Sequence, residues 1–367
     1  MTKVLHLRCS GSLLGAESVI LQLCSVRSDA LRSVIGVIQD SRDPYPLLAT
    51  VAENQGLPVV VFPASRLLDL DCIAAIANYV RDNSIDIIHT HGYREDMYSL
   101  LARTGVPLVA TNHLWKRTNF TLRLYALLDS VLLGFFDRIV AVSTPILDDM
   151  RKHPYLRYKD MRYIPNGIDV AAFNAPKNKC FTKKLSISPS TVVLLTVSSL
   201  TIEKGHYYLL NALADNTLKC LDWALLIVGD GPEKSRLEQL ANELEISDKV
   251  IFLGRRENIP EILSSSDVFV MPSLREGLPM ALLEAMAAEL PCIASNVGEI
   301  PSIITLVRPD LLVSPKDIAG LTNKISWLLG DASSREELGR KSKKVVAERF
   351  SASAMMENYF KLYQELV

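Results

Sequence analysis

Apolar residues in this chain come in short unbroken runs, each followed by a longer stretch with apolar positions three or four apart. In the first half the runs are "KVLHLR", "SVIGVIQ", "VVVFP", "IDIIHTH", "LVATNH", "DRIVAVS" and "MRYIPNG". In the second half they are "TVVLLTVS", "WALLIVGDG", "KVIFLG", "DVFVMPS", "PCIASNV" and "DLLVSP". Runs of this length, rich in Val, Ile and Leu, predict strands. They are apolar throughout rather than at alternate positions, which predicts parallel strands covered on both faces. The intervening stretches, such as "DLDCIAAIANYVRDN", predict amphipathic helices. Strand and helix alternate along the chain, so the fold class is α/β.

The alternation pauses between Ile168 and Ser190, where Lys, Asn, Ser and Pro dominate, and this predicts a linker. Two Rossmann-like βαβ domains follow from that break, 1–172 and 173–350, facing a central cleft. Ligands of such sheets bind at the carboxyl ends of the strands. A chain of 367 residues suits two domains, and 49% hydrophobic content is enough to fill two cores. The net charge of −1 argues against a nucleic-acid partner, which requires uncompensated Lys and Arg. Cys9, Cys24, Cys72, Cys180, Cys220 and Cys292 form no CxxC and no zinc-like spacing, so they read as free, mostly buried thiols in a reducing compartment. The start, "MTKVLHLRCSG", lacks the apolar core of a signal peptide. No run approaches the roughly 18 apolar residues of a membrane span. The expected location is the cytoplasm.

The stretch "SLREGLPMALLEAMAAELPCIASNVGEIPSII" holds two acids in apolar surroundings, Glu276 and Glu284. Pro279 suits the first position of a helix running to about Glu289. The start of that helix, beside Gly277 and Leu278, is an anion site suited to phosphate. Glu284, a little over one turn in, is placed to accept hydrogen bonds from the vicinal hydroxyls of a ribose. Glu276, on the turn before, is placed to bind hydroxyls of whatever a diphosphate carries. The residues alone also admit Glu284 bonded to a neighbouring backbone or arginine, and Glu276 as a solvated turn residue. Lys204-Gly205, after the first strand of the second half, can neutralise a diphosphate or can be a surface helix start. "GDG" at Gly229–Gly231 is not the dinucleotide fingerprint, which disfavours a dehydrogenase. In the first half, Gly11 and Gly15 lie on a loop between strand and helix. His89, His91 and His113 stand at strand ends, and His113, followed by a loop, is the leading site candidate. The HxH of His89 and His91 lacks a third metal ligand at convincing spacing.

Taken together, "REGLPMALLEAMA", "LTIEKG", "IVGDGPEKSRLEQLA", "VIFLGRRENIPEILSSSDVFVMPS" and "YIPNGIDVAAF" resemble a retaining glycosyltransferase of family 4, with the GT-B fold. The resemblance runs along nearly the whole chain. It implies transfer of a sugar from a nucleotide diphosphate donor, uridine ahead of guanosine, to an acceptor hydroxyl with retention at the anomeric carbon. It implies Glu284 on the donor ribose, Glu276 on the transferred sugar, and Gly277 and Leu278 on the diphosphate through their backbone. Lys204 would pair with the diphosphate, Arg255 and Arg256 would lie near the base, and His113 near the reacting sugar. Gly11 and Gly15 would belong to a loop closing on donor and acceptor. No cofactor and no metal are expected, and the final helix, about 351–367, would return to the first domain.

Two departures stand out. Ser198-Ser199-Leu200 occupies the place of the family's Gly-Arg-Leu, so Ser199 brings no charge to the diphosphate, and "SNVGEIPSII" has Glu299 and Ser302 where glycine and glutamate are common. Between His113 and Arg162, nine Lys and Arg oppose five acids around the apolar run "LYALLDSVLLGFF". That composition fits either a core helix with a solvated face or peripheral contact with the inner face of a membrane carrying a lipid-linked acceptor. A non-catalytic nucleotide-sugar-binding protein and a GT-B epimerase are the alternative readings.

Overall fold

The structure, a computed structural model, describes residues 1–9, 15–26, 29–40, 45–112 and 120–367. By its contacts the chain divides into two compact units, Met1–Gly167 together with Ala352–Val367, and Ile168–Ser351.

The first unit holds a seven-stranded sheet made of β1 (Thr2–Cys9), β2 (Leu31–Asp40), β3 (Val59–Ala64), β4 (Ile87–Thr90), β5 (Leu108–Asn112), β6 (Arg138–Ala141) and β7 (Met161–Tyr163). The order is β3-β2-β1-β4-β5-β6-β7 and every pairing is parallel. The continuous apolar runs have the expected cause: Val4, Leu5, Leu7, Ile87 and Ile88 are all fully buried. The helix Leu70–Asp82 starts where Asp69 accepts from the N–H groups of Asp71 and Cys72, and it turns Cys72, Ile73, Ile76 and Val80 inward. The helix Ala352–Gln364 also lies on this unit. Its Tyr363 hydroxyl is 2.6 Å from His89 Nδ1, and its Tyr359 hydroxyl is 2.9 Å from Thr111 Oγ1.

The second unit holds a six-stranded parallel sheet of β8 (Val192–Val197), β9 (Trp223–Val228), β10 (Val250–Gly254), β11 (Val268–Met271), β12 (Cys292–Ser295) and β13 (Leu312–Val313). Its order is β10-β9-β8-β11-β12-β13. The two units are therefore the two Rossmann-like parallel-sheet domains that the apolar runs predict. Two sequence expectations need correcting. The 168–190 segment is not a loose linker, because Ile168 and Phe181 are buried in the second core, Lys177 donates to the Ser266 carbonyl and Lys179 pairs with Asp267. The six cysteines are free but not mostly buried: Cys72 and Cys292 are, whereas Cys180 and Cys220 are exposed.

In both sheets the strand order reverses beside the first strand, between β1 and β4 and between β8 and β11. Helices leave on opposite faces at such a point, which opens a crevice at the carboxyl ends of the two strands. In the second unit this brings the loop after β8 next to the loop after β11, although they are far apart in sequence.

Candidate functional site

The site of the second unit is built from those two loops. After β8 the chain is anchored by fully buried Leu200 and makes the short turn Ile202–Lys204. Gly205 ends that turn at φ +69°, and a Cβ there would stand 2.0 Å from the Pro272 carbonyl oxygen. Only glycine lets the Lys204 turn lie this close to the end of β11. The Leu274 N–H donates to the Glu203 carbonyl at 2.7 Å, joining the two loops by backbone. As a result Lys204 Nζ is 2.7 Å from Glu276 Oε1, with the side chains 23% and 7% exposed. The same oxygen accepts from Ser273 Oγ at 2.7 Å, and Ser273 is itself buried.

The helix following Glu276 is Met280–Ala287, shorter than predicted. Pro279 is its N-cap rather than its first residue, with extended backbone at ψ 112°, because its carbonyl accepts the first bond, from Leu282. Among the described residues, the N–H groups of Gly277, Leu278, Met280 and Ala281 donate to no protein acceptor. These donors and the positive end of the helix are physically suited to hold an anion. Leu282, Leu283, Ala285, Met286 and Ala287 face the core. Glu284 lies on the remaining side, half-buried, and its carboxylate has no hydrogen-bond or ion-pair partner among the described residues. Burial alone raises its carboxyl above the ordinary range.

Further residues complete the surroundings of this site, and of these Gly298, Ser273 and His206 were not singled out in the sequence. Gly298, at φ +57°, backs onto the Glu276 and Gly277 carbonyls. Fully buried Glu299 donates its N–H to the Gly277 carbonyl at 3.1 Å and accepts from Ser302 Oγ at 2.6 Å. The Glu299 backbone thus braces the Glu276–Gly277 turn, while its side chain bonds Ser302 within its own loop. The Gly229–Gly231 turn is stitched to the 198–200 loop: Leu200 N–H donates to the Asp230 carbonyl, and Glu233 N–H to that of Leu200. His206 is buried with Nε2 3.2 Å from Ser198 Oγ, and burial, followed by the charge of Lys204, pushes it down to about 4. Ser273 and His206 lie three positions before Glu276 and two after Lys204, and nothing in either residue type singles them out. Ser199, Arg255 and Arg256 are exposed, the two arginines on the turn after β10.

In the first unit, Gly11 and His113 lie outside the described residues, and Gly15 opens the helix Gly15–Ser25. Beside it, Arg8 bonds Glu17 at 2.8 Å and faces Glu95 at 3.6 Å, while Glu95 accepts from the Cys9 N–H. These contacts join the ends of β1 and β4 at the switch point. The third histidine missing from the HxH spacing comes from β1, since His6 is in register with His89 and its Nδ1 is 3.2 Å from His91 Nε2. Both ring nitrogens of His89 are engaged, by the Tyr363 and Thr111 hydroxyls, so a metal there would have to displace one of them.

A parallel-sheet domain with a phosphate-type helix start, a lysine and two carboxylates at its switch point defines a nucleotide-binding α/β protein. Two family models match the chain, Glycosyltransferase Family 4 over residues 15–172 and Glycosyl transferases group 1 over residues 179–345. The chain belongs to the family 4 glycosyltransferases. It is 30% identical over 232 residues to N-acetyl-alpha-D-glucosaminyl L-malate synthase of Bacillus anthracis, an alignment taking in 63% of this chain and 60% of the relative. It is 26% identical to the UDP-Gal:alpha-D-GlcNAc-diphosphoundecaprenol alpha-1,3-galactosyltransferase of Escherichia coli, over 90% of this chain and 88% of that one. Its fold matches the Anabaena protein Alr3699/HepE in complex with UDP, with a TM-score of 0.84 at 20% identity over the full length of both.

Proposed function

We propose that this chain is a retaining glycosyltransferase that moves a hexose from a nucleotide diphosphate sugar to an acceptor hydroxyl in bacterial polysaccharide or glycolipid assembly. The observation that carries the reading is Glu284, a half-buried carboxylate with no partner among the described residues, on an otherwise apolar helix. Such a group is costly unless a ligand supplies donors, and a ribose diol at one turn from an anion site does so. The diphosphate takes the unused N–H groups at the helix start and Lys204, which stabilise the charge growing on the leaving group. Glu276 receives hydroxyls of the sugar, Arg255 and Arg256 border the base, and His113 with the Gly11–Gly15 loop serves the reacting end. No step is routed through a metal. A uridine donor is preferred because the E. coli relative uses UDP-Gal and the Anabaena protein was solved with UDP.

The acceptor is proposed to be lipid-linked. Exposed Phe135, Tyr155 and Tyr158 stand with Arg151, Lys152 and Arg157 on the first unit, a composition suited to peripheral contact with an anionic membrane. Among the described residues no helix is long and apolar enough to cross a membrane. Ser199, exposed and uncharged where the family carries arginine, favours a second reading, binding of the nucleotide sugar without turnover. The test is a thermal-shift screen with uridine, guanosine and adenosine diphosphate sugars, followed by transfer to a diphosphoundecaprenol-linked sugar. The anomeric configuration of the product is then read by NMR. A stabilising donor with product of retained configuration supports the reading. A stabilising donor without product supports the second, and no stabilising donor overturns both.

A further inference from the structure

The bond between Lys204 and Glu276 sets two roles of the donor site against each other. The lysine that is to hold a diphosphate is held instead by the carboxylate that is to hold the sugar, at 2.7 Å. Both bonds to this carboxylate go to Oε1, from Lys204 and from Ser273, and Oε2 takes none among the described residues. We propose that Glu276 competes with the donor diphosphate for Lys204, so that the site favours a nucleotide sugar over the sugarless nucleoside diphosphate left after transfer, and that Ser273 is the residue that positions it. This rests on the donor reading given above.

The argument is one of charge balance. When a diphosphate draws Lys204 away, Glu276, only 7% exposed, loses its counter-charge beside a second anion. A buried carboxylate in that position is unfavourable unless new donors reach it. The hydroxyls of a transferable sugar are such donors, and Oε2 is the oxygen left open to them. Ser273 keeps its bond to Oε1 during the exchange, so the carboxylate stays aimed. A nucleoside diphosphate brings negative charge and no sugar hydroxyl, and leaves Glu276 unpaired. Once the sugar has been transferred, the carboxylate reclaims Lys204 and drives the nucleoside diphosphate out.

Ser273 is a positioning residue in this account. Removing its hydroxyl leaves the Lys204–Glu276 pair in place, so affinity for the sugarless nucleotide is kept while affinity for the sugar form falls.

The test measures the dissociation constants of uridine, guanosine and adenosine diphosphates and of their glucose, galactose, N-acetylglucosamine and mannose forms by calorimetry. Wild type, Glu276→Gln, Ser273→Ala and Ser273→Thr are compared, each first shown to unfold cooperatively. If wild type binds none of these molecules, the donor reading itself falls and this inference with it. For the pair that binds, the wild type is expected to prefer the sugar form by about tenfold or more. Glu276→Gln is expected to bind the sugarless form about tenfold more tightly than wild type, erasing the preference. Ser273→Ala is expected to weaken the sugar form by about tenfold with the sugarless form unchanged, and Ser273→Thr to restore it. Unchanged or weaker binding of the sugarless form by Glu276→Gln overturns the competition. Equal loss for both forms in Ser273→Ala overturns the role given to Ser273.

Discussion

Gly298 backs directly onto Glu276: a β-carbon on the glycine would stand 2.3 Å from the Glu276 carbonyl oxygen, at a φ of +57°. The contact fixes the height of the Glu276–Gly277 turn above the sheet. Gly298→Ala must push that turn away and strain its own backbone, a cost of about 1–3 kcal/mol from the left-handed conformation alone. The variant should unfold at lower temperature and lose most of its affinity for any nucleotide sugar that the wild type binds. Calorimetric melting with and without the sugar checks both.

Glu284 should trade stability for binding. Burial raises its carboxyl, so the folded chain keeps that proton to higher pH than the unfolded chain does. Folding is therefore weakened as pH rises through the carboxylate range, because the folded state binds more protons there. Glu284→Gln removes the charge, and above that range the variant should melt about 2–4 °C higher than wild type. It should also bind the donor more weakly. A melting point that does not rise at pH 7.5 contradicts the unpaired carboxylate.

Two buried histidines should shape the acid side of the stability curve. Burial lowers His6 to about 3 and, with the Lys204 charge, His206 to about 4, against an ordinary 6.5. Between the folded and ordinary values the unfolded chain binds more protons. Stability is thus full above about 6.5 and declines as pH falls, by up to about 1.4 kcal/mol per pH unit for each histidine. His206→Gln should flatten this decline in urea titrations run from pH 7 to pH 5. An unaltered slope would mean that His206 is not held neutral.

Tyr363 fills the first core and engages His89 at 2.6 Å. Tyr363→Phe keeps the ring and deletes the hydroxyl that bonds His89 Nδ1 in the interior. The expected loss is about 1–3 kcal/mol, read as a lowered denaturation midpoint with an unchanged slope.

Much of this was legible in the sequence because parallel strands buried on both faces leave a direct trace. Each quoted apolar run overlaps one observed strand, from "KVLHLR" in β1 to "DLLVSP" in β13. Glu276, Lys204 and Glu284 drew notice for another reason: charged residues in apolar or glycine-bearing surroundings stand out. Ser273 and His206 did not stand out, since their importance comes from neighbours that only the switch point supplies. His6 was hidden in the same way, looking like any strand residue until β1 is laid beside β4. The 168–190 segment misled because its buried anchors, Ile168 and Phe181, are few beside the lysines, asparagines, serines and prolines that set its average. Composition reports the average of such a segment, whereas packing depends on those two side chains.

The first unit is made of two separated pieces of chain, and this bears on how the protein is born. Tyr359 and Tyr363, which engage Thr111 and His89, are translated after the whole of Ile168–Ser351. A domain ordinarily folds as its residues leave the ribosome, the N-terminal one first. Here the first sheet emerges early with His89 and Thr111 lacking their tyrosine partners, while the second unit, one continuous piece, can close in the meantime. The part made first is thus the part finished last, completed only when Tyr363 is added.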